Sequence, residues 1–241
     1  MKMYEHSNYI SIFGDRSAGI VASELRSIAS VDAALHEKLK IFFHDVRLKA
    51  LVIAHQVHGV NGVIITSLQQ VYNSKLLEPT GDFVITDIPK VMVGVLTADC
   101  LPVTVYDKNK QVVGVAHAGW RGSVAGILDS MIDALEKKYT SNIQDLQFQF
   151  GPCAHVCCYQ VDQLFVDVVS ETEEGSQALA VRDGKFYFNL PLYNQLQLKL
   201  RGVLIANIDM SSSICTICDV NYYSYRRDKT ALRQISVVSL K

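Results

Sequence analysis

No stretch of this sequence stays free of charged residues long enough to span a membrane, and its opening, MKMYEHSNYISIFGDRS, holds no apolar run ahead of a small-residue cleavage site. A cytoplasmic protein without membrane attachment is the expectation. An excess of either charge is also missing: 23 Lys and Arg stand against 24 Asp and Glu, a formal net charge of -1. That balance builds no field to gather a polyanion, so small molecules are expected as partners and nucleic acid is not. Segments rich in Pro, Gly or Ser, which mark linkers, are absent too. With 49% hydrophobic and 20% charged residues in a 241-residue chain, one ordered domain over 1–241 with a large core is expected.

The chain does contain six cysteines. In a protein without an export signal they are expected as thiols, ligands or nucleophiles rather than disulfides. Runs dense in β-branched residues predict strands at 9–13, 51–55, 63–66, 83–86, 91–97, 101–107, 111–117, 146–150, 186–189 and 203–208. Apolar spacings of three and four predict helices over 31–43, 122–139, 161–170 and 192–201, the last ended by Gly202. The acidic stretch 171–175 is expected as a solvated loop.

Three segments place a metal-capable side chain at the end of an apolar strand beside a turn-forming residue: HQVHG at 55–59, TADC at 97–100 and HAGWRG at 117–122. Strand ends followed by tight turns let side chains converge while leaving room for a ligand. Two imidazoles and a thiolate, from His58, His117 and Cys100, form a borderline-soft set suited to Zn²⁺, and three protein ligands leave a fourth position open. Spacing alone matches no short metal motif, and a single buried His or Cys in such a core is more often a satisfied core residue.

The combination is more specific. QVHG (56–59), TADCLPV (97–103), AHAGWRG (116–122), GPC…CCYQV (151–161) and CTICD…YYSYRRD (215–228) resemble the YfiH family, labelled multicopper polyphenol oxidase or laccase and also described as purine nucleoside phosphorylase. The resemblance implies an α+β fold of two mixed sheets face to face, flanked by helices. It implies a Zn²⁺ site of His58, Cys100 and His117, with phosphorolysis of adenosine, inosine, guanosine or methylthioadenosine and deamination of adenosine in one pocket. The sequence departs from the family at 13–19, where a glycine-rich segment is reduced. It departs again at Lys229, Ala231 and Leu232, where glycines and a threonine are usual, and at Ala154-His155.

Deamination needs a proton shuttle, and Asp99 beside Cys100 is the nearest carboxylate in sequence; the alternative is that Asp99 caps a turn. Phosphorolysis needs donors for phosphate, and Arg47, Arg121, Arg226 and Arg227 are the candidates, although such arginines more often serve surface or structural ion pairs. Trp120 and the tyrosines of 222–225 are candidates to stack a base but more often belong to a core. Cys215-Thr216-Ile217-Cys218, Cys153, Cys157 and Cys158 are read as packed thiols, because a single two-residue gap is a weak signal.

Two other readings use the same residues. A metal-free hydrolase would take Cys100 as nucleophile and His117 as base. A copper oxidase would need on the order of ten imidazoles for a multicopper core, and the chain has seven histidines. Cu²⁺ at the same three ligands remains the alternative cofactor, and the sequence leaves the oligomeric state open.

Overall fold

The computed structural model describes residues 1–21, 49–72 and 80–241. The helix expected over 31–43 and Arg47 lie outside them. Strands Val91–Thr97, Leu101–Asp107 and Val112–Ala118 are buried along their whole length. Burial on both faces is why their sequences are continuously apolar rather than alternating.

These three strands are divided between two sheets. The first has the spatial order Lys2–Glu5, Tyr9–Phe13, Leu232–Leu240, Val91–Thr97, Ala50–Ile53, with Ile20–Val21 also paired to the C-terminal strand. The second runs Ile208–Asp209, Leu146–Phe150, Leu101–Asp107, Val112–Ala118, Phe83–Thr86, Gly62–Ile65. Each mixes antiparallel ladders with parallel pairs, such as Ala50–Ile53 beside Val91–Thr97 and Gly62–Ile65 beside Phe83–Thr86.

The sheets pack face to face. Val52, Val93, Val95 and Val238 from the first meet Val84, Tyr106, Val113 and Val115 from the second in one buried cluster. The outer face of the second sheet, including Val103, Phe148 and Phe150, is covered by Ile127, Met131, Ile132 and Leu135 of the helix Ile127–Tyr139. Each such side chain contributes roughly 1.5–3 kcal/mol on burial, so this helix is held by its apolar stripe. The expected α+β architecture of two facing mixed sheets with helices outside is therefore present.

Several local expectations differ. The helix expected over 122–139 is two helices, Trp120–Val124 and Ile127–Tyr139, because Gly126 at φ 87° takes the left-handed conformation between them. The acidic stretch is not a loop: Glu173–Gln177 is a short helix capped by Thr172, whose side chain accepts from the Gly175 N–H. The strand expected over 203–208 is a 3-10 turn, Ile205–Asn207, and the two-residue strand Ile208–Asp209. A third, small sheet of Gln160–Val161, Lys185–Phe188 and Leu179–Arg182 is added. Phe165 and Phe188, with ring centroids 5.0 Å apart, tie it to the core.

Candidate metal centre

Strand register brings four chain segments to one end of the second sheet. Gly62 pairs with Phe83, Phe83 with Ala116, and Leu101 with Ala118. The residues just outside those ladders therefore face one another: the 55–61 turn, Asp82, Cys100 and the end of the strand carrying His117. One ligand atom from each of His58, Cys100 and His117 falls within 4.8 Å of the other two. His58 Nε2 is 3.9 Å from the Cys100 Sγ, and the two imidazole rings meet edge to face at 4.8 Å. His117 is buried, Cys100 half-buried and His58 exposed, so the cluster opens to solvent on the His58 side.

Asp82 organises this arrangement. Its carboxylate is fully buried and accepts from the backbone N–H groups of Val57 at 3.2 Å, His58 at 2.9 Å and Gly59 at 2.7 Å. It also accepts from His117 Nδ1 at 2.8 Å, which leaves His117 Nε2 as the second ring nitrogen to serve as a ligand atom. Three consecutive N–H groups around one anion form a nest, and this nest holds His58 at φ 60°. A left-handed non-glycine residue costs about 1–3 kcal/mol, which the buried hydrogen bonds offset. Gln56 braces the same turn: its side-chain amide exchanges two hydrogen bonds with the Leu96 backbone, at 2.7 and 2.8 Å, where the chain has left the ladder.

Charge coupling follows from the packing. Burial pushes the Cys100 thiol up, but the His117 and His58 imidazoles outweigh it and leave it lowered to about 6. Burial lowers His117, and the Cys100 thiolate and Asp82 reverse that, raising it to about 9. At neutral pH the metal-free pair is therefore a thiolate beside an imidazolium. The same atoms, once His117 gives up its proton, offer one sulfur and two nitrogen donors, which is the donor set of an open zinc site.

The remaining candidates separate by what they touch. Asp99, at φ 88°, accepts at one oxygen from Thr216 Oγ1 at 2.7 Å and at the other from the Arg226 N–H at 2.6 Å. Arg227 gives its guanidinium to the carbonyls of Thr216, Ile217, Asp219 and Tyr222 and to the Asp228 carboxylate. Arg121 and Arg226 are exposed, resting over the Trp120 ring at 4.5 Å and the Tyr159 ring at 5.2 Å. Trp120 packs on Phe165 at 4.8 Å and joins the core, as does buried Tyr222, while Tyr225 is exposed.

Two residues were missed by sequence reasoning. Asp82 reads only as the end of the turn 79–82 and the start of a weak family echo at 82–86, and Tyr159 only as one letter of CCYQV. Burial, then the Cys100 charge, push the Tyr159 phenol well above its usual range, which places it in the field of the cluster.

Gly119 offers a direct test of how tightly this cluster is packed. A Cβ there would lie 3.0 Å from the Cys100 Sγ and 3.2 Å from His58 Cδ2, yet its backbone, φ -68° and ψ 160°, suits any residue. Gly119→Ala is expected to leave the melting temperature within a few degrees and to weaken metal retention on the order of tenfold. A chelator competition read beside a thermal melt checks this; wild-type retention with a lowered melting temperature would refute it.

The model of a family described as multi-copper polyphenol oxidoreductase laccase matches residues 25–241. A purine nucleoside phosphorylase of Borreliella burgdorferi is 37% identical over 150 residues, 61% of this chain and 63% of that protein. Adenosine deaminase RL5, from an unknown prokaryotic organism, is 28% identical over 187 residues, 76% of this chain and 64% of that protein. The chain thus matches less than two thirds of the length of either relative. The crystal structure of the Bacillus licheniformis protein YfiH superposes with a TM-score of 0.83 at 25% identity, covering 97% of this chain and 93% of that one. The family match over nearly the whole chain, together with that superposition, shows that this chain belongs to the YfiH family of the multi-copper polyphenol oxidoreductase laccase model.

Proposed function

We propose that the chain is a zinc-dependent purine nucleoside enzyme, cleaving adenosine, inosine, guanosine or methylthioadenosine with phosphate and deaminating adenosine. The observation that carries this reading is the His58–Cys100–His117 cluster, open on one side, with a buried carboxylate behind His117. The names of the relatives supply the substrate class. Zn²⁺ bound there supplies Lewis acidity at the mouth of the site.

The chain's own residues divide the work. Asp82 fixes the His117 ring and the His58 turn. Cys100 and His117, having given up their protons, would hold the ion together with His58. Arg121 and Arg226, each carried on an aromatic face near the cluster, receive phosphate, whose oxygen attacks C1′ as the bond to the base breaks. Asp99 braces the turn before Cys100 against the 216–226 loop instead of shuttling protons, since both of its oxygens are occupied. Arg227 holds that loop together.

The copper reading has less support. A multicopper centre would need on the order of ten imidazoles, the chain has seven histidines, and among the described residues one metal-capable group contains histidine. The thiolate–imidazolium pair is the one feature that favours a metal-free hydrolase.

Protein purified without chelator, assayed by mass spectrometry, tests all three. Inosine should yield hypoxanthine only with phosphate present, adenosine should yield inosine with or without it, and both should cease on metal removal. Phosphate-independent hypoxanthine release, or activity that survives stripping, would point to a hydrolase. Phenol oxidation by zinc-loaded, copper-free protein would overturn the zinc assignment.

A further inference from the structure

A second set of metal-capable side chains lies outside the site described above. Cys157, Cys158, Cys215 and Cys218 place their four sulfurs within 4.8 Å of one another. The Sγ of Cys218 is 3.3 Å from that of Cys157 and 2.9 Å from that of Cys158. Only Cys153, nearby, is a buried thiol of the packed kind expected from the sequence; Cys157 and Cys218 are exposed, and Cys158 and Cys215 are half-buried. Burial of apolar surface therefore does not account for the gathering of these four.

The backbone presents them deliberately. Cys153 bridges to Cys215, with Cys153 N–H donating to the Ile214 carbonyl at 3.0 Å and Thr216 N–H to the Cys153 carbonyl at 2.9 Å. Asp219 N–H closes the second turn on the Cys215 carbonyl at 3.0 Å, bringing Cys215 and Cys218 to one side. Arg182 Nη2 donates to the carbonyls of Val156 at 2.5 Å and Cys157 at 3.0 Å, fixing the first turn. Two turns, 60 positions apart in sequence between Cys158 and Cys218, thus meet sulfur to sulfur. With Zn–S bonds near about 2.3 Å, a tetrahedral site separates its sulfurs by roughly 3.8 Å, within the spread observed.

The geometry points to a structural Zn²⁺ site formed by Cys157, Cys158, Cys215 and Cys218, which clips the 153–161 turn to the 214–228 loop. Four protein ligands close the coordination sphere, so the ion is structural and carries no substrate. Binding converts thiols to thiolates and releases their protons to solvent. No oxidant is required, whereas a disulfide among these sulfurs would need one. The loop so clipped carries Thr216 and Arg226, which hold both oxygens of Asp99 beside Cys100. The clip therefore steadies the wall of the first site without touching it.

The test uses a background in which the first cluster cannot contribute. Cys100→Ala protein, purified in a non-chelating reductant, should retain roughly one Zn²⁺ per chain by native mass spectrometry, and adding Cys218→Ser should remove it. Loaded with Co²⁺ instead, the Cys100→Ala protein should show intense visible bands and sulfur-to-cobalt charge transfer, both lost with Cys157→Ser. Should the double variant fail to fold, wild-type protein gives a second readout: zinc should shield four thiols from an aromatic disulfide reagent beyond any shielded at Cys100, and a strong chelator should expose them. Cys100→Ala protein that holds no metal and shows no cobalt–thiolate bands would overturn the proposal, as would a chain two hydrogens lighter with no metal. Neither result bears on the first site, whose failure would be read from nucleoside turnover.

Discussion

Cys100→Ala is expected to lower nucleoside turnover by on the order of 10³-fold or more, since losing the site's Lewis acid removes about 4 kcal/mol of transition-state stabilisation. Cys100 is the only sulfur in the cluster and its principal anion at neutral pH, because its thiol is lowered to about 6 by the His117 and His58 imidazoles against the opposing effect of burial. Without it two imidazoles remain, and His117 loses the thiolate that holds its proton affinity up to about 9. Zinc analysis should show the loss of one ion per chain relative to wild type, with folding intact by circular dichroism. The same coupling sets a pH dependence. Zinc uptake at pH 7 should release about one proton from this cluster, from His117, because Cys100 is already ionised. Retention should therefore already weaken as pH drops below about 9, where His117 takes up a proton, and fall more steeply below about 6, where Cys100 takes up a second. Calorimetry in buffers of different ionisation enthalpy measures the release. Full zinc occupancy of this cluster in Cys100→Ala, or unchanged turnover, would remove Cys100 from the site.

Asp82→Ala is expected to be the most destabilising single change near the cluster, by about 3–5 kcal/mol, or roughly 10 °C or more in melting temperature. Truncation removes the acceptor of three backbone N–H groups and of the His117 Nδ1–H, and it releases His58 from its left-handed turn. Metal affinity should fall about 10- to 100-fold as both histidines lose their orientation. Asp82→Asn, which keeps the shape, should recover packing but not the charge, and so should restore stability more than metal affinity. The sign with pH is fixed by the direction of the shift. Burial raises the Asp82 carboxyl, but the hydrogen bonds from His117, Gly59 and Val57 leave it below its ordinary value. Its contribution is therefore complete above the unfolded value near about 4 and is lost as pH falls through the lower folded value. Acid titration of wild type against Asp82→Asn measures it; identical acid unfolding would show that Asp82 does not carry this linkage.

Much of the molecule is legible in its residues. The fully buried strands Val91–Thr97 and Leu101–Asp107 announce themselves because burial on both faces demands unbroken apolar sequence. The helix Leu190–Arg201 does so through its spacing and the left-handed Gly202 that ends it. The break at Gly126 escaped notice because apolar periodicity runs on across it, while the short helix Glu173–Gln177 was masked by its charge, its Thr172 cap notwithstanding. Arg226 and Arg227 are neighbours of one residue type, yet one rests exposed over Tyr159 and the other is bound to four backbone carbonyls.

By itself the sequence determined the donor types available and the strand ends that carry them, since both follow from local composition and periodicity, whereas the facing-sheet architecture was legible only through the resemblance of its motifs to the YfiH family. Which donors meet was decided only by tertiary structure. Asp82 reads as a turn residue until the register of Phe83 against Ala116 sets it opposite His117. The pair Cys157-Cys158 and the pair Cys215, Cys218 are each a weak signal until the backbone hydrogen bonds between residues 153 and 214–216 bring the two turns together. Periodicity reports which face of an element is buried, but proximity between distant segments depends on strand register and loop closure, which are set by how the whole core packs.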